Sequence, residues 1–347
     1  MNWKDSKYLL AYVAPLSAFA AIYYQGIWSF TTVVLAFAII PVLDFLVPSS
    51  DQNLTREEEV SKLSTIIFDW LLYLNVPMIW ILIWYFFSTV SAGGLEVLEL
   101  IGMTWSVGII VGTVGINVAH ELGHRVNKSE QLMSKTLLLS ALYMHFFIEH
   151  NRGHHKNIAT DEDPASSRLN ESLYSFWIRS TLGGYRSAWN LENEKLKKQG
   201  VSFFSLKNEM LMFQIIQVGY LVSVGLYFGW FVVPFAIIIA ITGFLLLETV
   251  NYIEHYGLRR KKLPSGRYEN VTMQHSWNSN HEMGRIFLYE LTRHSDHHFK
   301  STRKFQVLRH FDESPQLPFG YPGAMALSFL PPLWFKVMND KIPNLSN

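Results

Sequence analysis

The sequence predicts an all-α integral membrane protein with six transmembrane helices and a histidine-rich metal site on their cytoplasmic side. Three observations lead there. The 347 residues are 49% apolar and 15% aromatic but only 16% charged, a balance that points away from soluble domains. Lys and Arg are missing from Tyr8 to Ser50, from Leu63 to Ala119 and from Glu209 to Glu254, and each block has room for two spans of ~20 residues. Nine of the 13 histidines fall in four short clusters, three of which directly follow an apolar segment.

The first block divides at Gln25-Gly26, the second near Ser91-Ala92-Gly93-Gly94 and the third at Gly229-Trp230, giving helices at about 8–25, 28–48, 64–88, 97–119, 209–228 and 231–254. Tyr23, Tyr24, Trp28, Trp84 and Trp230 near the outer turns suit an interfacial aromatic belt; packing between helices is the other reading for each. The connections inside the blocks carry no basic residue and every flanking segment does, so both termini are expected in the cytoplasm. No small-residue cleavage site follows the first apolar run, so a secretory signal peptide is not expected.

Thr136 to Ile148 is also apolar, but at ~1.5 Å per residue it is short for a ~30 Å hydrocarbon core. If it crossed, the later clusters would emerge on the face opposite His120. Read as a re-entrant helix, it brings all four clusters to one depth on one side. The expected organisation is residues 1–120 as a four-helix transmembrane region ending in the first cluster, 121–208 as a cytoplasmic region with the re-entrant helix and second cluster, 209–254 as helices five and six, and 255–347 as a cytoplasmic cap. Within the cap, Gly320 to Phe335 is apolar but broken by prolines, which suits the interface rather than a span.

The clusters are His120 and His124; His150, His154 and His155; His255; and His294, His297 and His298. Residues three and four apart share a helix face, so each multi-histidine cluster is expected to bring its imidazoles to a common point. Nine imidazoles exceed what one ion uses; two ions with roughly four or five ligands each fit the number. Imidazole accepts zinc, copper, nickel and iron, and iron suits a dense, thiolate-free set that leaves positions for dioxygen. Glu121, Glu149, Asn251, Glu254 and Asp296 are candidates to accept the other ring N–H of a ligand, with helix capping as the alternative. Glu248 lies inside the sixth span, while Asp44, Asp69 and Asn75 suit helix-to-helix hydrogen bonds. His145, His275, His281 and His310 fall outside the clusters, and His145 and His281 are candidate neighbours of the site.

Two rivals follow from the same residues. His120-Glu121-Leu122-Gly123-His124 satisfies the zinc-protease pattern with Glu121 as general base, which leaves seven clustered histidines unexplained. A metal transporter or sensor would hold its ligands near the midplane between discontinuous helices, whereas these follow helix ends. The absence of cysteine rules out disulfides and cysteine-ligated iron–sulfur centres within the chain. No basic stripe or zinc-finger spacing suggests nucleic acid.

The strings His-Glu-Leu-Gly-His-Arg from His120, Glu-His-Asn-Arg-Gly-His-His-Lys from Glu149, Asn-Tyr-Ile-Glu-His-Tyr-Gly from Asn251 and Leu-Thr-Arg-His-Ser-Asp-His-His from Leu291 resemble the histidine boxes of the membrane alkane 1-monooxygenases, the alkane ω-hydroxylases. Asp163 to Arg168, Ser276 to His281, Gln316 to Pro318 and Pro331 to Phe335 extend the likeness over nearly the whole chain. The string around His255 separates this family from the wider desaturase and sterol hydroxylase group.

The resemblance implies two non-haem iron ions held by His120, His124, His150, His154, His155, His255, His294, His297 and His298. It implies insertion of one atom of dioxygen into the terminal methyl of a medium-chain n-alkane, with the other leaving as water. It further implies electrons from NADH through a rubredoxin reductase and a rubredoxin, and residence in the inner membrane. With no cysteine and no Gly-x-Gly-x-x-Gly fingerprint after a strand, the electron carriers must be separate proteins. A xylene-type methyl hydroxylase or lipid desaturase is the neighbouring reading. The substrate is expected to come laterally from the lipid through an apolar channel; Gly112, Gly115 and Ala119 either line it or permit close helix packing. Arg125, Arg152, Lys156, Arg259, Arg260, Arg293 and Arg303 suit either a docking face for an acidic carrier or positive-inside anchoring.

Overall fold

A computed structural model describes residues 3–343. Five helices are long and apolar enough to cross a membrane, namely Gly26–Leu46, Ile67–Ala92, Val97–Gly123, Glu209–Phe228 and Trp230–His255. The described residues form no strand, only isolated bridges such as Lys262 to Tyr268. Large apolar side chains stand exposed along these helices, with Ile27, Phe45 and Tyr227 at 85–88%, which in a membrane faces them to lipid. The outer turns fall at the expected breakpoints, each in left-handed backbone. Gln25 has φ 55°, Gly93 and Gly94 have φ 75° and 79°, and Gly229 has φ 98°.

The segment expected as the first span is a continuous helical stretch that begins as a 3-10 helix, Trp3–Tyr12, and goes on as an α-helix, Val13–Tyr24. One expectation needs correction. The apolar stretch 136–148 is not one helix. Lys128–Ser140 ends in a turn where Leu142 takes φ 49°, and a second short helix, Phe146–Glu149, follows. An L-residue in left-handed backbone costs ~1–2 kcal/mol and ends a helix, and neither piece is long enough to span.

Val97–Gly123 and Trp230–His255 cross at glycine. A Cβ on Gly112 would stand 2.7 Å from the carbonyl oxygen of Gly243, and one on Gly243 2.9 Å from Val111 Cγ1. Gly112 thus permits close packing, and it also lines the cavity beside His120. A π turn, Val111–Ile116, interrupts the first of these helices just before His120. A π turn adds a residue to the winding and rotates all that follows it, so it sets the direction in which His120 and His124 leave the bundle.

The polar residues inside the spans were expected to join helix to helix, but they hold the cap instead. Asp44 accepts the backbone N–H of Gly284 at 3.1 Å, and Asp69 accepts Lys304 at 2.8 Å and Arg125 at 3.2 Å. Asn75 donates to the Tyr289 hydroxyl at 3.2 Å as well as to Leu71 O in its own turn. The segment 320–335 forms two short helices, Tyr321–Ser328 and Pro331–Met338, whose Tyr321 and Trp334 are fully buried. Trp334 packs its ring 5.5 Å from Tyr252 and 5.4 Å from Tyr256.

One turn carries the fourth cluster. Tyr289 and Glu290 both adopt left-handed backbone, φ 48° and 59°, immediately before the helix His294–Phe299. Glu290 accepts Arg285 Nε at 2.7 Å and the Tyr8 hydroxyl at 2.5 Å. Burial alone would raise its pKa, but Arg285 and Arg293 hold the carboxyl below its usual range. Glu290→Gln is expected to lower stability by ~3–5 kcal/mol at neutral pH, the cost of breaking a buried pair. Because the folded pKa is depressed, this stability is present above the unfolded value of about 4.3 and is lost as pH falls through the folded value. Thermal melts in detergent across pH should show the variant less stable at pH 7 and converging on the wild type in acid.

Candidate metal centre

Four chain segments bring the nine clustered histidines together in two groups, all buried except the half-buried His124 and His155. His120, His124, His150, His155 and His297 form one; His154, His255, His294 and His298 form the other. Within each group the candidate donor atoms lie within 4.8 Å of one another. His120 and His255 reach the same place because the C-terminal ends of two spanning helices meet there.

The grouping differs from the expectation that each cluster serves a single point. His150 and His155 join one group while His154 joins the other, and His297 parts from His294 and His298 in the same way. The reason is local geometry. His150–His154 is a π turn, not an α turn, so residues four apart no longer share a face. Gly153 permits it, since a Cβ there would come within 2.6 Å of Glu149 Oε1. Arg152 ties the turn to Glu192 of the helix Leu173–Lys198 at 2.7 Å.

The nitrogen spacing identifies what these rings surround. The Nε2 atoms of His124, His150 and His155 stand 3.0–3.2 Å apart in a triangle. A neutral imidazole nitrogen is either donor or acceptor, so three cannot all bond one another. They are spaced instead as ligands of one centre. With a metal–nitrogen bond of ~2.1 Å, ligands at 90° are ~3.0 Å apart and tetrahedral ones ~3.4 Å, and the triangle lies nearer the first. In the second group, His298 Nε2 is 2.8 Å from His294 Nε2 and 3.3 Å from His154 Nε2. Both ring nitrogens of His255 are buried without a partner, a costly state that a metal ion relieves.

None of the five carboxylate and amide residues expected to accept a ligand's far ring N–H does so, and Glu254 alone contacts a clustered histidine, on the nitrogen that faces the rest of its group. Its Oε2 lies 3.1 Å from His294 Nε2, while Oε1 accepts the Tyr321 hydroxyl at 2.9 Å. Asn251 contacts Glu248 at 3.4 Å, and Glu248 also accepts the Tyr143 hydroxyl at 2.9 Å. Asp296 takes the backbone N–H of Arg309 at 2.9 Å and the guanidinium of Arg303 at 3.2 Å. Burial, reinforced by the negative charge of Asp163, raises the pKa of Glu149. Glu121 accepts Arg125 at 2.8 Å and the backbone N–H of Phe305 at 3.2 Å, so it is held by the cap and is not placed as the general base of a zinc protease.

Asp163 is the residue that sequence reasoning missed. Its Oδ2 accepts His154 Nδ1 at 2.9 Å and the Ser166 hydroxyl at 2.5 Å, and its Oδ1 accepts Ala165 N–H at 3.0 Å. Burial opposes ionisation, but His154 outweighs it and the carboxyl is held below its usual range. A carboxylate on the far nitrogen fixes the ring's tautomer and direction. The signal was available in Asp163-Pro164-Ala165-Ser166-Ser167-Arg168, which resembled the family, but its link to His154 needs the fold.

The remaining histidines lie elsewhere. His145 borders a small polar cavity behind His150, and burial pushes its pKa down to about 3. His281 bonds Ser279, His275 pairs with Thr272 and Glu269, and His310 with Asn280 and Asp312. On the membrane side His120, His150 and His294 close one end of an apolar cavity of about 40 Å³ walled by Leu246, Val250, Leu288 and Met325.

A buried imidazole cluster capping an apolar cavity at the end of a helical bundle defines the class. Residues 97–325 match the fatty acid desaturase family model. Within that class the chain is 39% identical over 321 residues to alkane 1-monooxygenase 2 of Pseudomonas aeruginosa, covering 92% of this chain and 85% of the relative. It is 40% identical over 304 residues to alkane 1-monooxygenase of Acinetobacter baylyi, covering 88% and 74%. Identity to the xylene/toluene monooxygenase hydroxylase component of Pseudomonas putida is 26% over 339 residues, covering 96% and 87%. The chain belongs to the alkane 1-monooxygenase family and is a multi-pass membrane protein.

Asp163→Asn removes the charge behind His154. It is expected to weaken metal binding in the four-imidazole group by ~10–100-fold and to leave the five-imidazole group loaded. Metal retained per chain after graded chelation, measured by plasma mass spectrometry, should fall in two steps for the variant, the first at chelator concentrations that leave the wild type loaded; equal loss from both groups would contradict the assignment.

Proposed function

We propose that the chain is a membrane alkane 1-monooxygenase that converts n-alkanes to 1-alkanols at two non-haem iron ions. The observation that carries this reading is the apolar cavity closed at one end by imidazoles of both groups. An alkane has no polar group to be recognised, so only shape and an apolar wall can hold its methyl at a reacting centre. The greater identity to alkane than to xylene/toluene monooxygenases favours the linear alkane over the aromatic methyl.

His120, His124, His150, His155 and His297 serve one ion, and His154, His255, His294 and His298 the other, with Glu254 beside the second set. The near-90° spacing of His124, His150 and His155 suits the higher coordination of iron better than tetrahedral zinc. When bound, the iron pair supplies the reduction of dioxygen, which takes two electrons and two protons, delivers one oxygen atom to the terminal methyl and releases the other as water. The protein orients: Asp163 fixes His154, Arg152 fixes the π turn and the cavity walls exclude water. Cysteine is absent, so the electrons come from another protein, a rubredoxin reduced by NADH through its reductase.

In the inner membrane the chain is read as six spans, with Trp3–Tyr24 completing the five apolar helices. Both termini and the centre then face the cytoplasm. On this reading residues 1–120, 121–208, 209–254 and 255–347 form the four-helix region, the cytoplasmic region with the second histidine cluster, the fifth and sixth spans and the cap.

Purified protein should contain iron near two per chain by plasma spectrometry. It should form 1-octanol from n-octane only with rubredoxin, its reductase and NADH together; one zinc and no iron in active protein would end this reading. A reporter fused after Asn170 should report the cytoplasm, and a periplasmic signal would show that the region between residues 128 and 149 crosses.

A further inference from the structure

Three cavities adjoin one another beside the imidazoles. The inner one is that of about 40 Å³ closed by His120, His150 and His294. A second, about 60 Å³, lies between Gly26–Leu46, Val97–Gly123 and the cap. Three residues line both, Thr113, Leu288 and Met325. A third, about 560 Å³, is a wide cleft bordered by the exposed Trp105. The cleft shares Leu246 with the inner cavity and Ile109 with the second.

We propose that Thr113, Leu288 and Met325 form a neck that selects alkanes by chain length. This rests on the hydroxylase reading. A substrate whose methyl meets the histidines and whose chain outruns the inner cavity passes its tail between these residues into the second cavity.

Each member of the neck is fixed. The Thr113 hydroxyl donates to Ile109 O at 2.7 Å, within its own helix, so the residue's polarity is satisfied away from a hydrocarbon. The carbonyl of Leu288 accepts Asn117 Nδ2 at 2.9 Å, which ties that cap residue to the helix bearing His120. Met325 lies on Tyr321–Ser328, and the Gly320 that precedes this helix sits so close to Asp44 that a Cβ would overlap its carboxylate. With all three backbones held, side-chain size sets the opening, and the unbranched Met325 is the member able to change it by rotation alone.

The test compares hexadecane with octane in the iron-loaded protein supplied with its electron carriers. Met325→Ala should raise the hexadecane-to-octane ratio of kcat/KM, and Met325→Phe should lower it. Each change should be roughly tenfold, the discrimination that about one methylene carries in an apolar pocket. Iron content and melting temperature establish that the variants fold. Unchanged ratios in both Met325 variants overturn the neck, and so does a shift confined to Leu246→Ala, which would send the tail into the cleft.

A second readout needs no turnover. The chain has no cysteine, so Met325→Cys introduces a single thiol. Dodecane should slow its modification by methyl methanethiosulfonate in metal-free protein, and butane should not. If the wild type oxidises no alkane, the hydroxylase reading falls and this labelling decides the neck. Protection by dodecane alone sustains it; equal protection or none overturns it.

Discussion

Nine imidazoles must be buried together with their nitrogens at ligand distance, and this constraint organises the rest of the molecule. A buried ring nitrogen without a partner is costly, and His255 leaves both of its nitrogens in that state. Such a cluster persists only if the backbone around it is over-determined. The π turns at Val111–Ile116 and His150–His154 and the left-handed pair Tyr289-Glu290 are local departures from regular helix, and the close passage of Gly112 over Gly243 joins two of the segments. Each aims a histidine-bearing segment at one place, so the energy of regular structure is given up where the site needs direction.

The cap supplies most of that over-determination. Polar side chains on the spanning helices reach across to it: Asp44 to Gly284, Asp69 to Lys304 and Asn75 to Tyr289. These contacts are few, but hydrogen bonds and ion pairs gain strength where water is scarce. They fasten the fourth cluster to the bundle that carries the first and third. Asp44 and Asp69 are therefore linked to the histidine cluster through the cap without touching a clustered histidine.

The centre joins opposite environments. On one side Asp163 holds His154, and Asp296 in the cap is ion-paired with Arg303 and Arg309. Toward the membrane the same histidines border carbon alone over much of the cavity wall. Polar side chains hold the rings from one side, and apolar walls face them from the other. The apolar walls include Leu246, Leu288 and Met325, which belong to three different segments and meet only through the fold.

Much of this was legible in the chain. The basic-free blocks located the apolar helices, and the turns at Gln25, Gly93 and Gly229 fell where the sequence broke. Periodicity and clustering picked out the nine histidines that the fold gathers, because spans ending in histidine must deliver them to a bundle end. The sequence by itself thus determined the helical membrane architecture and the chemistry available. Only the tertiary structure decided how the clusters divide into five and four, since a π turn at His150–His154 and the cap turn at Glu290 change which side chains share a face. It also decided that Asp163 stands behind His154, that Glu121 holds Arg125 and the cap and supports no clustered histidine, and that Thr113, Leu288 and Met325 line two adjoining cavities. Contacts between residues far apart in the chain depend on packing, which no local pattern encodes.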